Sequence, residues 1–151
     1  MGSVTEEGAP AGFGRRLGSL VYESLLVAAV ALAGMLPVAL LTESWSPDWK
    51  RPFNQLYLAT LVGAYFVWQW LRGGQTLAMK TWRLKLVMRD GTALTPVVAV
   101  RRYLLALVGA ALGGAGFLWA LFDRDRQFLH DRLAGTKIIC VPAARSSPPP
   151  R

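Results

Sequence analysis

The chain has 151 residues, enough for one domain. Hydrophobic residues make up 53% of it and charged residues 17%, against about 45–50% and about 25% in a soluble domain, which argues against a water-soluble globule. Seventeen Lys plus Arg against nine Asp plus Glu leave a formal charge of +8, and with so much apolar sequence an anionic lipid surface is a nearer partner than nucleic acid.

Residues 1–14 are small, polar and Gly-rich without periodicity, and read as a flexible tail. Arg15 and Arg16 follow, then Leu17–Thr42, 26 residues with one charge, Glu23. Gly34 and Pro37 kink this segment without ending it. The loop 42–53 places Trp45 and Trp49 where interfacial anchors belong. Pro52–Leu71 and Tyr103–Phe122 are 20 residues each with no charge. At about 1.5 Å rise per residue each of the three windows is long enough to cross a hydrocarbon core about 30 Å thick. Inside lipid the backbone must pair within its own segment, which selects helices. The expected fold class is therefore an all-α integral membrane protein with three apolar helical segments.

Residues 72–102 carry seven Lys or Arg and one acid, Asp90. Trp82, Leu84, Leu86 and Met88 alternate with polar or smaller neighbours ahead of the turn signal Asp90-Gly91, which predicts a small amphipathic hairpin on the membrane surface. The third window contains Gly109, Gly113, Gly114 and Gly116, a pattern that suits close helix packing and also a broken or re-entrant helix. Asp123–Leu133 reads as an amphipathic surface helix ended by Gly135, and Lys137–Val141 as one strand. Residues 142–151 are disordered by composition.

Basic loops stay in the cytoplasm, so the N-terminus and loop 72–102 are expected inside a bacterial inner membrane. Three full crossings would send the tail outside although it holds six basic residues. Either the tail violates the charge bias or the third segment folds back at Gly113-Gly114. The returning tail is preferred, since its strand can then pair with the predicted hairpin.

Glu23 is the charge most in need of a reason, since an ionised carboxylate within a spanning helix costs about 2.5–3.5 kcal/mol on insertion scales. Arg16, seven residues earlier, shares its helix face about 10 Å along the axis, too far for contact unless a third partner links them. Two readings stand: a bundle-facing group for a proton or cation, or a structural partner of an arginine in the basic loop or tail. His130 and Asp131 point about 100° apart on a helix and form no base-orienter pair alone. Asp131 is expected to accept hydrogen bonds and fix how the tail docks. A single His, a single Cys140 and no framed nucleophile predict no metal site, no cofactor and no enzyme.

Three pieces, FGRRLGSLVYE, GQTLAMKTWRLKLVMRDG and GFLWALFDRDRQFLHDRLAGTKII, resemble the RDD family of small membrane proteins. The likeness runs from about Phe13 to Val141 and sets off 15–141 as one membrane domain between two tails. It implies that Arg16 stands for the family's first arginine and Asp131 for its later aspartate. The aspartate of the first helix falls on Glu23, one methylene longer. The residues and the resemblance together imply a transport-related inner-membrane protein, homo-oligomeric because three helices enclose no pathway, with Arg16, Glu23 and Asp131 as its ligand or ion site. The alternative is an accessory or assembly subunit of a larger membrane complex.

Overall fold

The computed structural model describes residues 12–92, 94–122 and 128–141. The expected tails thus fall outside the described residues, except for Gly12, which caps the first helix, and Phe13 and Gly14, which already belong to it. The chain is mainly helical: α1 Phe13–Leu41, α2 Pro47–Gly73, α3 Leu77–Thr81, β1 Leu84–Met88, α4 Pro96–Ala111, α5 Ala115–Phe122, α6 Leu129–Ala134 and β2 Thr136–Cys140.

α1 runs through Pro37 without ending, and its stretch Gly14–Leu41 is long and apolar enough to cross a membrane. Among the described residues it alone meets both conditions. α2 has the length, beginning at Pro47, ahead of the uncharged window Pro52–Leu71, but Asp48, Lys50, Arg51, Asn54, Gln55 and Gln69 dilute its apolarity. The third window is not one helix. α4 stops at Ala111, Gly113 and Gly114 take positive φ of 71° and 81°, and α5 starts at Ala115. Only glycine adopts two such residues in succession at little steric cost, so the pair reverses the chain where a Cβ at either would be strained. Gly109 of α4 then lies against Gly116 of α5, so close that a Cβ on Gly109 would come 3.2 Å from the Gly116 Cα.

The predicted hairpin does not form. β1 is a strand, with Leu84 and Leu86 buried and Lys85 exposed as the period-two pattern requires. Its partner is β2, antiparallel, with Leu84 opposite Cys140 and Met88 opposite Thr136. After Gly91 the chain has Thr95, whose hydroxyl accepts from the Val98 N–H, and Pro96 at the first helical turn, so a helix starts where a return strand was expected. Local turn chemistry at Asp90-Gly91 is real, with Asp90 Oδ1 accepting from the Thr92 N–H at 3.0 Å, but the edge of β1 is satisfied by residues 48 or more positions later.

α6 is shorter than the expected surface helix; residues 123–127 lie outside the described residues. It exposes Arg132 and Leu133 but buries His130, Asp131 and Ala134, so it docks into the fold instead of lying on it. Gly135 ends it in the left-handed conformation.

The core gathers under the two-stranded sheet, where Trp70, Met79, Leu84, Leu86, Ala99 and Ile138 meet, with Phe66 and Tyr103 packed on its flank. Full burial of a side chain such as Leu84 or Leu86 contributes about 1.5–3 kcal/mol. Gly74, at the end of α2, has φ 67° and its carbonyl accepts from the Leu86 N–H at 2.7 Å; a Cβ there would come 2.6 Å from the Leu86 oxygen. Away from this end the helices carry apolar side chains outward, among them Leu32, Leu36, Leu40, Leu56 and Leu112, each at least 65% exposed.

Candidate functional site

Arg16 and Glu23 leave α1 on one face, and both are buried, at 3% and 8% exposure. They face one cavity but not each other's hydrogen bonds. Glu23 accepts from two hydroxyls: Tyr65 of α2, at 3.1 Å to Oε1, and Thr76, to Oε2. Thr76 is the N-cap of α3, its oxygen accepting from the Met79 N–H at 3.2 Å while its proton goes to the carboxylate. One hydroxyl thereby ties the start of α3 to the middle of α1. The Arg16 Nη2 donates to the Ile138 carbonyl of β2 at 3.2 Å, which ties the first helix to the last strand.

The third expected residue, Asp131, is fully buried. Its Oδ1 accepts from Arg102 of α4, at 2.7 Å from Nε and 2.5 Å from Nη2. The Arg102 guanidinium lies over the Trp70 ring, 4.2 Å from its centroid. The neighbouring Arg101 donates to the Ala134 carbonyl at 2.9 Å, so two successive arginines of α4 hold the two ends of α6. His130, buried beside Asp131 with Nε2 at 3.7 Å from Oδ1, stacks on Phe128. Burial pushes its imidazole down to about 4; the Asp131 carboxylate opposes this and Arg102 adds to it, so the ring is neutral at physiological pH.

Most of these groups line a cavity of about 240 Å³. Arg16, Glu23, Thr76, Arg102 and His130 form its polar end; Leu20, Val62, Phe66 and Leu107 belong to its apolar remainder. Leu107 is 42% exposed although it lines the cavity, so the space reaches the apolar outer surface between helices. Such an arrangement offers a ligand both signs of charge and hydroxyl groups, in apolar surroundings that strengthen each contact.

Arg16, Glu23 and Asp131 are thus brought to one region, the first two directly on the cavity and Asp131 beneath it, through Arg102. Sequence reasoning missed Tyr65, Thr76 and Arg102. Tyr65 stands among the several aromatics of the second apolar window, where nothing local marks it out. Thr76 carried a signal, a cap residue after the Gly73-Gly74 stop, and Arg102 another, a charge at the edge of an uncharged window. Neither signal names the partner, because the partners are 53 and 29 positions away.

An apolar helix of spanning length beside a buried charged cluster points to a membrane protein. The profile of the RDD family matches residues 10–135, and the chain belongs to that family. An uncharacterized protein of Rickettsia prowazekii (strain Madrid E) is 33% identical over 93 residues, which is 58% of this chain and 50% of that protein. The chain therefore spans about half the length of the curated relative it matches. No solved structure matches it.

Proposed function

We propose that this is a small, multi-pass inner-membrane protein of transport-related role, in which the cavity between α1, α2 and α4 binds a proton or cation at Glu23, or a small polar solute through Glu23 and the arginines around it. One observation carries the reading: a carboxylate on a membrane-length helix is kept from water, held by two hydroxyl donors, and yet faces open space beside Arg16 and Arg102. A purely structural carboxylate would be expected to pair with an arginine directly, as Asp131 does.

The fold-back at Gly113-Gly114 supports an orientation with the tail on the cytoplasmic side. Since β2 pairs with β1, the tail strand lies at the same end of the bundle as the basic segment 72–102, and the conflict between helix count and charge bias is removed by a cytoplasmic tail. Association of several copies around α1 would enclose a pathway that one copy cannot.

Reconstitution in sealed liposomes tests the proposal. Wild-type protein is expected to support a proton or cation flux that Glu23→Gln abolishes while the circular dichroism spectrum stays unchanged. Silent liposomes, with detergent extracts that retain a stable larger membrane complex, would replace this reading by that of an accessory subunit.

A further inference from the structure

A second concavity lies outside the cavity, between the last turns of α2 and the start of α3. It has a volume of about 370 Å³ and is lined by Trp68, Gln69, Arg72, Gln75, Leu77 and Lys80 among others. Arg72 and Lys80 are exposed, and neither makes an ion pair among the described residues. Among the described residues no acid lines the groove. Arg72 is not loose: its guanidinium lies over Trp68, 4.6 Å from the ring centroid, which orients the plane and leaves its N–H edge for an anion.

The floor supplies the independent observation. Gln69 is only 8% exposed. Its Oε1 accepts from the Leu77 N–H at 3.0 Å, which fixes the amide orientation, since a backbone donor demands the oxygen. Its buried Nε2 then has no hydrogen-bond partner among the described residues that satisfies it. The Tyr65 hydroxyl lies nearby, but an amide nitrogen has two protons and one hydroxyl oxygen takes one of them. A buried donor left unmet is costly, so a fold that keeps one beside two cations is arranged for an acceptor.

We propose that this groove binds a phosphate group, held by Arg72, Lys80 and the Gln69 amide. Exposed Trp68 and Leu77 beside the cations suit a phosphodiester headgroup with its chains alongside; a free phosphate has the same chemistry at the polar floor. Tyr65 lines the groove and also donates to Glu23, so the two sites are neighbours, but phosphate binding here holds whatever the cavity carries.

Two probes separate the sources: inorganic phosphate titrated into detergent-solubilised protein, followed by phosphorus NMR, and nanodiscs of mixed phosphatidylcholine and phosphatidylglycerol, with retained lipid read by native mass spectrometry. Arg72→Gln/Lys80→Gln is expected to weaken binding about tenfold or more, the loss of charge-assisted contacts. Arg15→Gln/Arg83→Gln, which removes equal charge elsewhere, leaves it unchanged. Gln69→Glu keeps the acceptor for Leu77 and repels the ligand to a similar extent, with an unchanged circular dichroism spectrum as the check that the fold is kept. Selective retention of phosphatidylglycerol assigns the site to lipid; binding of inorganic phosphate with the same variant dependence and no lipid preference assigns it to the free anion. Equal losses in both double variants, or no binding of either probe by the wild type, would overturn the proposal.

Discussion

Asp131 and Arg102 show what a single buried pair does here. Removing Asp131 leaves the Arg102 guanidinium buried without its counter-charge, so Asp131→Ala is expected to destabilise the protein by about 3–5 kcal/mol in denaturant titrations. Replacing both members, as Arg102→Met/Asp131→Leu, should recover most of that loss, because the cost lies in the stranded charge; a double variant as weak as the single one would sink the argument. His130 adds a pH dependence whose sign follows from burial. Its folded value of about 4 lies below the ordinary 6.5, so the unfolded chain binds more protons between those values. Stability is full above about pH 6.5 and falls as the pH drops toward 4, by about 3 kcal/mol from this group. Unfolding midpoints of His130→Phe measured across that window should be flatter than those of the wild type.

At the scale of elements, the pairing of β1 with β2 is the decisive contact, since it brings α6 and the Asp131 carboxylate back to α4. Leu84 stands opposite Cys140, on the same face of the ladder. Mild oxidation of Leu84→Cys should therefore form an intramolecular disulfide with the native Cys140, detected as a mobility shift reversed by reductant. A register slipped by one residue would put the two thiols on opposite faces, and no crosslink would form. The α4–α5 reversal makes a separate demand. A side chain larger than hydrogen at Gly109 meets the Gly116 backbone, so Gly109→Leu should separate the two helices and lower the thermal transition by more than Ala110→Leu, whose site is exposed.

For the whole molecule, polar machinery is concentrated at one end and apolar surface at the other. Arg16, Glu23, Thr76, Arg102 and Asp131 all lie near the sheet, while the far halves of α1 and α2 expose leucines and tryptophans. This asymmetry fits a protein whose sheet end is wet and whose helices stand in lipid. Thiol labelling of sealed vesicles checks it. Cys140, and a Gly12→Cys made in a Cys140→Ser background, are expected to label from one side; Ser46→Cys in the same background, in the α1–α2 turn, from the other. Labelling of Gly12→Cys and Cys140 from opposite sides would require a third complete crossing.

Chain composition alone pointed to an apolar surrounding for part of this protein, because an apolar run of spanning length and a deficit of charge are properties of the unfolded sequence as much as of the fold. The same holds for the strand at β1, the stop at Gly135, and the oddity of Glu23, each read from neighbours within a turn or two. Only the tertiary structure decided who satisfies whom: that Glu23 takes hydroxyls from Tyr65 and Thr76 while Arg16 reaches Ile138, that Arg102 belongs to Asp131, and that β1 waits for the last strand in place of the next segment. The reason is range. Period, capping and turn chemistry act over a few residues, whereas a buried charge accepts whichever partner the packing delivers, and the packing here depends on two consecutive glycines turning the chain back.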